Sequence, residues 1–202
     1  TALGINLTWT IPAGYQGLIF DCDGTLVDSM PSHYKAWVAV LSRHGLALTE
    51  ARFYEWAGMP IDVIVQRLAT ERGLVVDAES IATERDAYFL SLPTRDLRPV
   101  DAVVEIARRY HGEYPLAVAT GSTNASASAS LNTIGVLELF DTMVCSGDVA
   151  HPKPAPDIFL EAAQRISVPP QKCVVFEDGE TGMEGARIAG MHVVDVRPWI
   201  ER

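Results

Sequence analysis

The sequence predicts a doubly wound, parallel α/β sheet with a helical cap inserted after its first strand. Two observations carry this expectation. Five short apolar runs, four of them ending in or beside a polar residue, are separated by helical patterns. The alternation then stops between Ser29 and about Leu97, where only helical patterns occur. Strands that alternate with helices build a parallel sheet, and ligands gather at the carboxyl ends of its strands.

The first strand starts at Gly17, where Leu18, Ile19 and Phe20 run abruptly into Asp21, as a buried strand does on reaching a polar edge. Similar runs lie at 116–119, 143–145, 173–176 and 193–196, and Thr120, Ser146 and Glu177 follow three of them. Inside the insertion, Pro31 suits a helix start, Tyr34, Trp37, Val38 and Leu41 share one face, and Gly45 closes the helix. Ile61, Ile64, Val65 and Leu68 mark another helix, and Asp77 is placed to N-cap a further one that presents Ile81, Tyr88 and Phe89. Residues 124–130, all Ala and Ser after Asn124, read as a tightly packed helix start. Phe159, Ala162, Ala163 and Ile166 keep helical spacing, while Gly135 and Gly190 stand where C-caps are expected. The expected division is a core of residues 15–28 and 97–202 and a cap of residues 29–96, placed as a lid over the sheet's carboxyl edge.

At 202 residues and 48% hydrophobic, the chain is long enough for one substantial core, or for a core and a small second domain. A net charge of −10 leaves no electrostatic footprint for nucleic acid or an anionic membrane. A phosphate substrate is still permitted, since metal, lysine and backbone N–H groups concentrate positive potential locally. Cys22, Cys145 and Cys173 leave one thiol unpaired in any disulfide scheme and lack the paired spacing of a zinc site, so all three read as reduced core residues. The stretch through Ile11 has neither a basic n-region nor a long apolar run, which predicts no signal peptide, no membrane span and a cytoplasmic location.

Asp21-Cys22-Asp23-Gly24-Thr25 follows the first strand, and its two carboxylates need a reason to be close. Two like charges about 4 Å apart repel by roughly 4 kcal/mol at an effective dielectric of about 20, so a divalent cation is a natural resolution. One carboxylate can then attack phosphorus while the other gives and takes the leaving-group proton. Taken alone, the pair reads more readily as an ordinary strand-end Asx turn.

The rest of the chain weighs against the bare turn. Residues 21 to 29, Asp-Cys-Asp-Gly-Thr-Leu-Val-Asp-Ser, resemble motif I of the haloacid dehalogenase superfamily. Thr120-Gly121-Ser122 resembles motif II, Lys153 in Lys-Pro-Ala-Pro-Asp motif III, and Glu177-Asp178 motif IV, in the family's order and over almost all of the chain from about residue 15. The resemblance implies a Rossmann-like core and an aspartyl-phosphate enzyme. It makes Asp21 the nucleophile and Asp23 the general acid/base, with the Asp23 backbone carbonyl also on Mg2+. Asp178 would be a further ligand of that ion, with Glu177 acting directly or through water. Thr120 and the N–H of Gly121, with Ser122 beside them, would hold phosphate oxygens, and Lys153 would neutralise phosphate and nucleophile. Position 179 is glycine where many relatives carry serine, which removes no catalytic group. His33 sits about where relatives of the β-phosphoglucomutase group carry a histidine between core and cap, and a packing histidine is the alternative. His44, His111, His151 and His192 show no ligand spacing.

The helical insertion resembles the cap of the β-phosphoglucomutase and small sugar-phosphate phosphatase branch, and the chain looks most like enzymes of the fructose-1-phosphate phosphatase type. The expected partner is a small phosphorylated metabolite, and a monomer suffices. A mutase would need a cap cation for a second phosphate, yet Gly58-Met59-Pro60-Ile61 holds no arginine. Arg67 and Arg72 are the expected exceptions among otherwise solvated basic residues of the insertion. A dehalogenase would not need Asp23, and a phosphonate hydrolase would need a cap lysine where none occurs between Lys35 and Lys153. A non-catalytic binding protein on this fold is the cross-class alternative. Trp37 and Trp56 are expected in the cap's own core.

Overall fold

The computed structural model describes residues 9–200, so the expectation of no leader segment falls mostly on residues outside the described range. Strand β1 (Gly17–Phe20) is fully buried. After it come the two-residue strand β2 (Val27–Asp28) and four helices, α1 (Met30–Arg43), α2 (Glu50–Glu55), α3 (Ile61–Glu71) and α4 (Ala78–Ser91). The chain returns through β3 (Arg98–Pro99) and continues with α5 (Asp101–Tyr110), β4 (Leu116–Ala119), α6 (Asn124–Thr133) and β5 (Thr142–Val144). It ends with α7 (Asp157–Arg165), β6 (Cys173–Glu177), α8 (Glu180–Ile188) and β7 (His192–Asp195). The main sheet has the order β5-β4-β1-β6-β7, and every pairing in it is parallel.

Side chains of a strand alternate between faces, and here both faces are apolar. Leu18, Phe20, Leu116, Val118, Val174 and Phe176 enter one cluster with residues of α5 and α6. Ile19, Ala117, Ala119, Cys173 and Val175 enter another with α7 and α8. A third cluster, from Met30 to Tyr88, belongs to the insertion alone and includes Trp37 and Trp56. The insertion leaves and re-enters the core through a paired ribbon, Val27 opposite Pro99 and Asp28 opposite Arg98.

Local chemistry agrees with most of the expected boundaries. Asp77 accepts from the Ser80 N–H as the N-cap of α4, and Gly45, Gly135 and Gly190 take positive φ after their helices. The face of α1 is rotated from expectation. Val38 is 48% exposed, while Ser32, His33, Ala36 and Val40 are buried, because α1 packs on α4 and also turns a polar edge toward the core. All three cysteines are buried and free. Among the described residues, no helix is long and apolar enough to cross a membrane.

β1 lies at the centre of the sheet, with β4 on one side and β6 on the other. The chain therefore reverses its direction of travel across the sheet there, and the carboxyl end of β1 opens onto a crevice. Asp21 occupies that end.

Candidate active site

The Asp21 N–H donates to the Phe176 carbonyl at 3.0 Å, continuing the β1–β6 ladder by one bond. A tight loop follows, in which the N–H groups of Leu26 and Val27 both donate to the Cys22 carbonyl. Gly24 allows it: its φ is +89°, and a Cβ there would overlap the Asp178 carboxylate. The adjacent Thr25 hydroxyl donates to Asp178 Oδ1 at 3.0 Å, tying the loop after β1 to the loop after β6.

Lys153 Nζ lies between two carboxylates, 2.7 Å from Asp21 Oδ1 and 2.8 Å from Glu177 Oε2, and all three residues are buried. Burial favours the neutral amine, but Asp21 and Glu177 together outweigh it and hold Lys153 above its ordinary pKa. Burial, reinforced by Asp21, pushes Glu177 up to about 8 despite the lysine. The same two influences push Asp178 up to about 7. One ligand oxygen each from Asp21, Glu177 and Asp178 lies within 4.8 Å of the others. This all-oxygen, largely buried, net-acidic set fits a hard divalent cation, which would offset the burial and mutual repulsion that raise all three carboxylates.

Asp23 faces different company. Its Oδ1 accepts from the Ser29 hydroxyl at 2.6 Å and lies 2.8 Å from His33 Nε2, and its Oδ2 accepts from the Ser122 hydroxyl at 2.5 Å. Burial alone would raise its pKa, but these partners reverse the shift and hold it well below the usual carboxylate range. His33 is itself lowered, by burial first and by the Arg85 charge, against the pull of Asp23.

A cleft of about 730 Å³, counting its solvent-open mouth, joins these groups under the insertion. It is lined by all nine residues singled out in the sequence, Asp21, Asp23, His33, Thr120, Gly121, Ser122, Lys153, Glu177 and Asp178. Thr120 directly follows β4, and its Oγ1 accepts from the Ser122 N–H at 3.1 Å. The Ser122 hydroxyl is engaged by Asp23 rather than turned free to the cleft. Gly179 supplies its N–H to Glu177 Oε1 at 3.0 Å. From the cap come Trp37, Phe53, Trp56, Met59, Ile61 and Ile64, so the two tryptophans are cap core and cleft wall at once.

The cap cation differs from expectation. Arg72 donates to the Gly45 carbonyl at 2.8 Å and Arg67 stacks 4.9 Å from the Trp56 ring centre, whereas the arginine that lines the cleft is Arg85. Its signal in the sequence was its place midway between Ile81 and Phe89, four residues from each, on a buried helical stripe. Thr181, also unread, donates to the Ala57 carbonyl at 2.8 Å and pins the 57–60 loop of the cap to the start of α8.

The family model of the haloacid dehalogenase-like hydrolases matches residues 15–190. The chain belongs to this family. Fructose-1-phosphate phosphatase YqaB of Escherichia coli strain K12 is 41% identical to this haloacid dehalogenase-like hydrolase over 183 residues, 91% of the chain and 97% of that enzyme. Validoxylamine A 7'-phosphate phosphatase of Streptomyces hygroscopicus subsp. limoneus is 30% identical over 182 residues, covering 89% of the chain and 84% of that enzyme. In fold, the β-phosphoglucomutase of Clostridium difficile superposes with a TM-score of 0.78 over 90% of the chain and 84% of its own, at 24% identity. Like its named relatives, this member of the family is a phosphatase that hydrolyses phosphate monoesters.

Proposed function

We propose that this phosphatase is Mg2+-dependent and hydrolyses a small sugar phosphate, such as fructose 1-phosphate, through an aspartyl-phosphate on Asp21. The observation that carries the proposal is the division between the two carboxylates. Asp21 faces the cleft against a single cation, while Asp23 is tied through both oxygens to hydroxyl and imidazole donors. Asp21 attacks phosphorus as the P–O bond to the sugar breaks, and Asp23 delivers a proton to the departing oxygen. Asp23 then takes a proton from water, which attacks the aspartyl-phosphate, frees inorganic phosphate and restores Asp21. Ser29 permits the change of state, because its hydroxyl lies 3.4 Å from the Val27 carbonyl and can donate there when Asp23 carries the proton.

Thr120, Gly121 and Ser122 form the phosphate cradle in this scheme, and Lys153 balances the charge of phosphate and nucleophile. Asp21, Asp178 and Glu177, with the Asp23 backbone carbonyl, would hold Mg2+. When bound, the ion withdraws charge from the phosphate oxygens and offsets the carboxylates. Residues 29–96 act as the cap over the core of residues 15–28 and 97–202, supported by the separate apolar cluster of the insertion. Free buried cysteines support a reducing, cytoplasmic setting.

A screen of sugar phosphates, nucleotides and glycolytic intermediates with Mg2+ tests the substrate class, with fructose 1-phosphate expected among the best. Phosphate release should not be stimulated by added hexose bisphosphate. Among the described residues, the cap's aromatic and aliphatic wall holds one cleft-lining arginine, and that arginine is committed to His33 and Asp86. Isomerised sugar phosphate appearing faster than free phosphate, after bisphosphate priming, would overturn hydrolysis in favour of a mutase.

A further inference from the structure

The first turn of α8 does two things that the reaction as described does not connect. One concerns Glu177. Its Oε1 accepts from the N–H of Gly179, the N-cap of α8, at 3.0 Å, and its Oε2 accepts from Lys153 Nζ at 2.8 Å. A Cβ on Gly182 would fall 2.0 Å from Oε2, so the carboxylate rests directly on the backbone of that turn and any side chain at 182 would take its place. The other concerns the cap. Thr181, between those two glycines, lines the cleft and donates its hydroxyl to the Ala57 carbonyl at 2.8 Å.

The loop held in this way lies against two further parts of the core. A Cβ on Gly58 would stand 3.9 Å from Lys153 Cδ, and the Gly58 carbonyl is 3.6 Å from the point a Cβ on Gly121 would occupy. The 57–60 loop is thus set beside the lysine that bridges Asp21 and Glu177, and beside the glycine that follows Thr120. Thr181 and the two glycines share one hydrogen-bonded helical turn, in which the Met183 N–H donates to the Gly179 carbonyl at 3.0 Å. A shift of that turn therefore moves the seat of Glu177 and the anchor of the cap loop together.

We propose that Thr181 is a positioning residue that ties the cap's 57–60 loop to the turn seating Glu177, so that seating of the loop and occupation of the acidic set by a divalent cation favour each other. The coupling rests on Glu177 belonging to the Mg2+ set proposed above. It is reciprocal by thermodynamic necessity: whatever factor Mg2+ adds to the seated loop, the seated loop adds to Mg2+ affinity. The cap then settles most firmly over a core whose acidic set is complete, and a phosphate ester is not enclosed over an incomplete one.

The test uses the full chain with MgCl2 as the only ligand. Thr181→Ala removes the hydroxyl and suits a helix better than threonine does, so loss of folding is not expected; Thr181→Ser keeps the hydroxyl. The Met59 N–H, which donates to the Trp56 carbonyl at 3.1 Å within the loop, reports seating through its hydrogen-exchange rate. In the parent, saturating Mg2+ should slow that exchange several-fold. In Thr181→Ala with Mg2+ present it should run about fivefold faster than in the parent, the factor that one neutral hydrogen bond supplies. Calorimetry should show Mg2+ bound about threefold or more weakly by Thr181→Ala, matching the lost response of Met59, and Thr181→Ser should recover both. Parental exchange in Thr181→Ala would overturn the anchor. Faster exchange with parental Mg2+ affinity would overturn the coupling and leave Thr181 a packing contact. In both cases the parent still binds Mg2+, so the inference fails alone. A parent that binds no Mg2+ would overturn the metal reading, and the coupling with it.

Discussion

Asp21 and Asp23 are separated by one buried cysteine, yet their surroundings divide the work between them. Burial raises the pKa of Asp21 against the pull of Lys153, while three donors lower that of Asp23. Asp21→Asn removes the attacking oxygen and leaves a near-isosteric amide. The expected outcome is a fall in kcat of more than about 10³-fold with the thermal midpoint within a few degrees of the parent, measured by phosphate release and melting. Near-normal turnover in the purified variant would contradict a covalent route through Asp21. Lys153 offers a second residue-scale check through its support. Its Nζ lies 5.1 Å from the ring centre of Phe159, which is fully buried under it. Phe159→Ala should cost about 3–5 kcal/mol of stability, read from denaturant midpoints, because the ring fills the space between α7 and the sheet. It should also weaken substrate binding by loosening the lysine's seat.

At the scale of elements, the 57–60 loop between α2 and α3 reaches the core beside Lys153 and is held there by Thr181. Gly58 has φ +88°, and a Cβ there would stand 2.6 Å from Thr181 Oγ1 and 3.9 Å from Lys153 Cδ. Gly58→Val should therefore lift the loop from the core and lower kcat/KM for a sugar phosphate by about tenfold or more, at a stability cost of about 1–2 kcal/mol for the left-handed backbone. Unchanged kcat/KM would mean that the loop stands clear of the core during turnover. The three central strands were legible in the sequence because strands covered on both faces read as unbroken apolar runs that stop at a polar edge, and the edge strands β5 and β7 showed as shorter apolar runs. The β2–β3 ribbon was not legible, since two-residue strands leave no periodicity. The face of α1 was misjudged because periodicity ranks apolar residues, whereas this helix buries Ser32 and His33 beside its aliphatic stripe. Arg85 escaped notice for a related reason: arginines are mostly exposed, and only its four-residue spacing from Ile81 and Phe89 betrays it. Seven of the nine cleft residues were legible because they lie in short motifs at strand ends, where backbone position alone brings the motifs together, while His33 on α1 and Lys153 in the loop between β5 and α7 carry no such positional signal.

For the whole molecule, a net charge of −10 must coexist with an anionic substrate. The cleft answers that locally with Lys153, the backbone of the Thr120 loop and an acidic set suited to a divalent cation. Chelation with EDTA should abolish activity and added Mg2+ should restore it, and Mg2+ should raise the melting temperature because it binds the folded state alone. Full activity after exhaustive chelation would speak for metal-free chemistry. The sign of the protein's field also predicts that encounter with phosphate esters speeds up as salt rises, so kcat/KM should fall less with ionic strength than for a basic phosphatase.

The ribbon where the insertion joins the core bears on how such a molecule is put together. Val27–Asp28 and Arg98–Pro99 run antiparallel and in register, so the two ends of the cap lie side by side, like a hairpin whose turn has been replaced by four helices. The sheet beneath does not register how much chain is strung between them. A cap of another size or lining could be spliced in at this seam without altering the strand order, the loop after β1 or the seat of Lys153. Chemistry and choice of substrate are thereby free to change independently, one written in the sheet and the other in whatever the seam carries.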